Sequence, residues 1–494
     1  MKNLIFIFFV LSGFLLSAQT GVVKGRVLDN NNFPLPGATV SVSPAGKSSV
    51  TNFNGFFVLS AVAEGDQEIS VRYIGFESAT QNVQLVGGQT AVLDFILSPA
   101  VNELDEVIVS GYQEGIVKAL NKQRNDLNVT NIVSADQAGK YPDDNIGDAI
   151  KRISGISVQN DQGEARDIIM RGFGPSLNSV TLNGDRIPSA EGDNRKVQLD
   201  LIPTNMIQSI EVNKSLTPDM EADAIGGSVN LVTRSNPAGF RASATLSGGT
   251  NPIRDEGYNA NVALLVADKV NDKLSYTIST TIQSRDYGSD NVEFEWNDPA
   301  DWSSDGEIKE MDIRRYDVKR TRRSVSLNLD YQLNDNNSLF FKSIYNHRDD
   351  WENRFRLRMD DVENGELRLR KQTKGGIGND ENKNRRLEDQ RTQKYSLGGE
   401  HLIGKISMDW KASTSKAAEK RPDERYVRFD RKGVSFSSLD ISNPERPLFV
   451  LQSDWDDPAE FKYKKTEDAQ KLTEEENNSF QFNIKVPFND SGEF

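Results

Sequence analysis

At 494 residues the chain is longer than one average domain, so two or three folded units are expected. It contains no cysteine, which excludes disulfide staples, thiolate metal sites and cysteine nucleophiles. Its formal net charge of −14 argues against a nucleic-acid partner, because phosphate binding rests on clustered Lys and Arg.

Residues 1–19 carry Lys2, an apolar run from Leu4 to Leu16, and the small residues Ser17 and Ala18 before Gln19. That is the layout of a secretory signal, and the run is short of the ~20 apolar residues a spanning helix needs. No later stretch approaches that length, so an exported chain of this kind either stays soluble or crosses a membrane as a closed barrel.

From 20 to 98, β-branched and aromatic runs alternate with Gly, Pro and Asn punctuation. This predicts a small β-sandwich with strands at 22–28, 38–42, 55–59, 67–73 and 91–97. The segments GRVLD, PLPGATV, TNFNGFFVL and VRYIGFE resemble the carboxypeptidase-regulatory-like sandwich that often precedes outer-membrane receptors in Bacteroidetes-type bacteria. The resemblance implies a spacer or docking module.

Residues 99–115 read as a linker holding LDEVIVSG from Leu104 to Gly111. A mobile run with alternating apolar positions suits pairing with the edge of a partner's sheet, with Val107 and Val109 on one face. Asp105, Glu106, Val107, Ile108, Val109, Ser110 and Gly111 resemble the TonB box of outer-membrane receptors. The implied partner is TonB with its inner-membrane energising complex. The other reading, one more strand of a neighbouring unit, stays open.

Between 116 and 235, apolar Ile146, Ala149, Ile150 and Ile153 at helical spacing predict a short helix, with Asp144 and Gly155 as candidate caps. Strand-like runs follow at 156–159, 167–170, 179–182, 210–212 and 228–232, which makes an α+β unit. DNIGDAIKRISGISV, IIMRGFGPSLNSVTLNGDRIP, IPTNMIQSIEVNKS and ADAIGGSVNLVT resemble, in order, the plug of TonB-dependent receptors. With ALNKQRN and GKYPDDN ahead of them, they look nearest to the Xanthomonas/Caulobacter-type branch, whose suggested substrates include oligosaccharides. Gly172 and Gly174 permit a tight loop that presents Arg171 to a carboxylate of the barrel wall, as a plug–barrel contact or as an ordinary surface pair. Arg186 in NGDR, and Asp193 and Arg195 in the polar loop 188–196, are candidate ligand contacts.

From 238 to 494 the pattern alternates apolar and polar, as a lipid-facing strand demands. Examples are 274–282, 325–331 and 480–488. Short connections near 270, 335 and 404 alternate with long charged ones near 286–320, 350–393 and 417–478, expected as structureless loops. Roughly eight strands are counted where a plug-holding barrel has about 22, so the chain is expected to end mid-barrel. The expected fold class is mainly β: a small sandwich, an α+β plug domain and an incomplete antiparallel transmembrane β-barrel.

Trp296 and Trp302, like Trp351 and Trp455, lie in the predicted long loops near acids, where indole faces suit a sugar. Packing inside the loops is the alternative, and Trp410 fits an interface belt. His347 and His401 stand outside any ligand-spaced cluster, and no catalytic set, metal site or cofactor is expected. The reading that follows is TonB-dependent uptake across the outer membrane of an extracellular ligand, an oligosaccharide first and a siderophore or other scarce nutrient second. A surface lipoprotein is a conceivable extra partner that no residue supports. The rivals are a non-transporting ligand-binding protein or adhesin anchored by the same barrel, and an exported hydrolase.

Overall fold

The computed structural model describes residues 20–486 apart from 31–33, 45, 53–54, 101–109, 127, 135–144, 192–195, 219, 221, 223, 236, 238, 253–256, 297–307, 364–365, 405 and 444–446. The expected export signal and residues 105–109 of the expected TonB box lie outside these.

In the first unit, Thr20–Asp29 pairs antiparallel with Phe56–Ala63 and parallel with Thr90–Val92 and Phe95–Leu97. A second sheet runs in the order Lys47–Val50, Thr39–Ser43, Gly65–Arg72, Ala79–Leu85. Alternation drives the packing: Gln67, Ile69 and Val71 are buried, and their neighbours Glu68 and Arg72 are exposed. Phe57, Phe95, Leu35 and Val40 close the core between the sheets. The single strand expected at 91–97 is two, because Asp94 turns its carboxylate onto Arg26 N at 2.8 Å and takes the place of a ladder bond.

The expected linker gives way to a helix, Ser110–Asn125, so Ser110 and Gly111 of the expected box open a helix instead of an extended run. Its later half, KALNKQRN, is built of strong helix formers and ends with Lys122 and Arg124 near the negative pole of the helix dipole. Asn125 Nδ2 donates to Gly37 O at 2.6 Å, and Lys122 pairs with Glu211, so the helix bridges the sandwich and the next unit.

That unit has a five-stranded sheet in the order Asp185–Arg186, Asn178–Leu182, Gly227–Thr233, Ile207–Asn213, Thr130–Ser134, and a hairpin of Ile156–Asp161 with Glu164–Met170. The helix Ile146–Ile150 is capped by Asn145, whose Oδ1 accepts from Asp148 N at 2.9 Å. Asp144, the expected cap, lies outside the described residues. Gly155 does not end the helix, which stops at Lys151; its carbonyl accepts from Arg171 N at 3.1 Å. Ile146, Ala149, Ile150 and Ile153 are buried, as their spacing requires. Gly147 lies against the hairpin so closely that a Cβ there would meet Ala165 O at 2.0 Å.

The rest forms one ten-stranded antiparallel wall. Its main order is Arg241–Thr250, Tyr258–Lys269, Leu274–Trp296, Ile308–Asn334, Asn337–Glu363, Glu366–Gly376, Ile406–Asp440, Arg386–Ile403, with Leu448–Leu451 and Lys462–Lys485 on Ile406–Asp440. The short connections fall where expected. The long ones are not structureless: Leu274–Trp296 and Ile308–Asn334 stay paired from Leu274↔Tyr331 to Trp296↔Ile308. Charged side chains alternate along both strands, so their backbones keep zipping beyond the apolar zone. The count therefore rises from eight strands to ten. Polar Ser279 and Ser326, at 0% and 1% exposure, face inward, whereas Ile278 and Val325, at 44% and 48%, face outward. Among the described residues no helix is long and apolar enough to cross a membrane; the outward apolar band belongs to strands.

Gly147→Ala is expected to destabilise the α+β unit by about 1–3 kcal/mol, since a backbone oxygen cannot yield as a flexible side chain would. Gly174→Ala, where an added methyl would meet nothing within 4 Å, serves as the neutral control in urea denaturation of the detergent-solubilised protein.

Candidate functional site

The α+β unit sits inside the curved wall, and the two meet through charge. Glu164, at the start of the second hairpin strand, is buried against Arg320 and Arg322, and its Oε1 also accepts from Arg285 at 3.2 Å. Arg320 Nε donates to Asp350 at 3.0 Å, which fixes the guanidinium on the wall side. Asp200, in the 3-10 turn Leu199–Leu201, is paired with Arg348 and lies 3.5 Å from Arg322. A lower seat is made by Asp185, 2.9 Å from Lys394 and 2.6 Å from Lys411, with Lys411 also donating to Asn183 O at 3.0 Å.

Burial by itself would raise the Glu164 carboxyl, yet Arg322 and Arg320 hold it well below the usual carboxylate range. Burial of Asp200 is likewise outweighed by Arg348, then by Arg166, Arg322 and Arg320. Asp185 is lowered against its burial by Lys394 and Lys411. All three acids of the inner unit are therefore anionic at neutral pH, facing cations of the wall. Apolar contact between the two bodies is sparse: the buried cluster of the inner unit takes in one wall residue, Ile344.

Among the described residues Arg171 makes no contact with the wall. Its guanidinium donates to Gly226 O at 2.9 Å and Ile225 O at 3.4 Å, within its own unit, because its left-handed backbone (φ 52°) turns the side chain back over the last strand. The seating charges have the opposite sense, acids inside and bases on the wall. Arg186 neighbours Asp185 at the lower seat, which places it near the short turn at 404 and away from the far end of the wall. Asp193 and Arg195 lie outside the described residues.

The remainder of their loop does reach a cavity of about 450 Å³, lined by Gln159, Asn160, Asp161, Arg166, Asp167, Glu191 and Lys196. Arg166 pairs there with both Asp161 and Glu191, and Ser189 N donates to Glu475 of the wall at 3.1 Å.

Trp296 and Trp455 are half-buried and pack beside a buried apolar cluster of Ile308, Met359, Leu367, Leu369, Val434 and Phe449 at the far end of the wall. Trp302 lies outside the described residues, and Trp351 alternates with inward Asp350 and Glu352 and so faces out. Trp410 Nε1 donates to His401 Nε2 at 3.0 Å. Strand register brings His347 within 3.0 Å of Asp349 and of Asp389, each of which already carries an arginine, Arg323 and Arg391.

Residues 23–109 match the CarboxypepD_reg-like domain family, and residues 122–228 match the TonB-dependent Receptor Plug Domain family. The chain is 31% identical over 268 residues to the TonB-dependent receptor SusC of Bacteroides thetaiotaomicron, covering 52% of this chain and 24% of that one. It is 25% identical over 240 residues to the iron-regulated outer membrane virulence protein of Vibrio cholerae, covering 47% and 32%. The chain thus spans about a quarter to a third of these curated relatives. A solved ferric enterobactin receptor (PfeA) mutant from Pseudomonas aeruginosa covers 61% of this chain and 55% of its own, at 13% identity and a TM-score of 0.37.

Glu164→Gln leaves Arg320 and Arg322 buried with part of their charge unbalanced, and about 3–5 kcal/mol of seating is expected to go with it. Because the folded pKa of Glu164 is depressed, its contribution is complete above the usual carboxylate range, about pH 4, and fades as pH falls below it. The protection of residues 164–170 against hydrogen exchange, after correction for the intrinsic slowing of exchange in acid, should therefore fall on acidification in the native protein, and be low already at neutral pH in the variant.

Proposed function

Because this chain is a TonB-dependent receptor of the outer membrane, we propose that the full protein takes up a scarce extracellular solute actively through the lumen of its barrel. The observation that carries this is the seat. A unit held by ion pairs in a polar seam, with one wall residue in its buried apolar cluster among the described residues, can be dislodged and reseated, because water and neighbouring charges take over each contact as it breaks.

The pulling point in this reading is the segment Asp105–Gly111, which the energising partner TonB pairs with by strand addition. Force then enters the helix Ser110–Asn125 directly. Lys122 on that helix is paired with Glu211 of the plug's central sheet, so a pull has a short route into the strands behind Glu164 and Asp185. In this reading the energy reaches the plug from the inner membrane through that partner.

For the ligand, Trp296 and Trp455 pack partly against an apolar cluster, so they offer a sugar at most part of each indole face. The apical cavity beside Arg166 and the lumen wall above it are the surfaces a solute meets first. An adhesin using the same wall as an anchor needs neither the seat nor the box.

Removing residues 105–111 from the full-length protein is expected to abolish energised uptake and leave ligand binding to whole cells unchanged. Uptake that survives the deletion alongside intact binding rules out coupling through residues 105–111, and binding by the intact protein without any uptake rules out transport.

A further inference from the structure

The wall strands continue past the plug, and their register fixes which side chains share the lumen face. In the ladder between Ile308–Asn334 and Asn337–Glu363, the pairs Arg322↔Arg348, Arg320↔Asp350 and Val318↔Glu352 are all buried on the plug side. Side chains alternate with a period of two, so every second pair beyond them looks into the same space. The first such row is Tyr316, Arg354, Lys374 and Tyr426. The second is Arg314, Arg356, Gln372 and Arg428. As far as Ile406–Asp440 the two rows present five cations, two phenols and an amide, and no carboxylate; on Lys462–Lys485 they continue with the exposed Glu467 beside Tyr426 and with Lys465 beside Arg428. The row after them returns to balance, with Asp312 and Asp430 flanking Arg358 and Arg370.

The neighbouring acids are oversubscribed. Asp312 takes Arg358 at 2.7 Å and Arg356 at 3.4 Å, and Arg314 as well. Glu424, 3.5 Å from Lys374, also takes Arg386 at 2.9 Å and Lys471 at 3.1 Å. Arg354 donates to Gln372 Oε1 at 3.2 Å, and among the described residues no carboxylate pairs with it. The Nε atoms of Arg354 and Arg356 are buried without a hydrogen-bond partner among those residues. Lys374 Nζ stands 5.6 Å from the ring centre of Tyr426, so an aromatic face lies beside the cations.

We infer that this band recognises an anionic solute carrying two or more carboxylate or sulfate groups. Guanidinium forks take such groups bidentately. Cross-strand neighbours stand about 5 Å apart and alternate residues of one strand about 7 Å apart, so a single ligand spans several of these cations. The phenol rings of Tyr316 and Tyr426 add an apolar face and a hydroxyl for the uncharged part of the ligand. A neutral solute would leave the surplus of positive charge uncompensated. The inference rests on the uptake reading only for the side from which the ligand arrives.

The test uses the purified full-length receptor in detergent and titration calorimetry with four probes: trigalacturonate, a sulfated disaccharide, ferric citrate and neutral maltotriose. At least one anionic probe is expected to bind. Arg354→Gln is expected to lower its affinity about 10- to 100-fold, and Arg354→Lys to restore part of the loss, since charge returns without the fork. Affinity for that probe should also fall with added salt. Binding of the saccharide acids and binding of ferric citrate both support the inference, and they distinguish an acidic glycan from a metal chelate. The outward-facing Arg315→Gln controls for a general effect of lost charge. The inference is overturned if maltotriose binds equally well to the native protein and to Arg354→Gln, or if no anionic probe shows binding that depends on Arg354. Because no energised membrane is involved, either negative result leaves the uptake reading to be decided by the deletion of residues 105–111.

Discussion

The contact between Glu164 and the pair Arg320 and Arg322 is the constraint on which the arrangement of this molecule depends. A carboxylate so deeply buried is untenable alone, and so are two guanidinium groups from one strand with 2% and 4% exposure. Asp350 balances part of the charge of Arg320, and Glu164 is tolerated only where both guanidinium groups stand, which fixes the hairpin tip of the plug against one height of the wall. Asp200 with Arg348, and Asp185 with Lys394 and Lys411, then set the rotation and the lower end. Three seats on different strands over-determine the position of a body that shares little apolar surface with its container.

This makes strand register the controlling variable. A one-residue slip would turn Arg320, Arg322 and Arg348 to the lipid side and bring Ile278 and Val325 into the lumen, exchanging every stabilising contact for a penalised one. The apolar outer band and the charged inner seats therefore enforce the same pairing from opposite faces. The cationic rows above the plug follow from that register as well. Their lumen orientation needs no separate explanation, only their composition does.

Much of the architecture could be read from residue patterns. Alternation in 274–282 and 325–331 marks wall strands because one face meets lipid, and the spacing of Ile146, Ala149, Ile150 and Ile153 marks a helix because one face meets a core. The seats could not be read in the same way. Arg320 and Glu164 are 156 residues apart, and Arg348 and Asp200 are 148 apart, so no local pattern joins them. A one-sided signal was nonetheless present: Arg320 and Arg322 are charged residues two apart within an alternating strand, which puts them on the inward face and calls for acids inside. Arg171 misled because its glycine neighbours suggest an exposed loop, whereas its own left-handed backbone folds the guanidinium onto Gly226. The helix Ser110–Asn125 was missed because valines just ahead of it dominate the local β signal, while its stability comes from Asn125 and Lys122 reaching Gly37 and Glu211 on separate units.

The choice of charge for the seam has a physical consequence for the uptake proposed above. A well-packed apolar seam of similar volume would hold the plug at least as firmly, since buried ion pairs gain little over their desolvation. It would also separate only by exposing apolar surface all at once. An ionic seam breaks one contact at a time, and each freed group is solvated as it leaves. Arg348 shows how near the seam stands to that exchange: its Nε and Nη2 are buried without a hydrogen-bond partner among the described residues, so rearrangement there forfeits only the bond to Asp200. In the proposed uptake, a pull arriving through Lys122 and Glu211 would meet a series of small barriers instead of one large one, as repeated opening by a modest force requires.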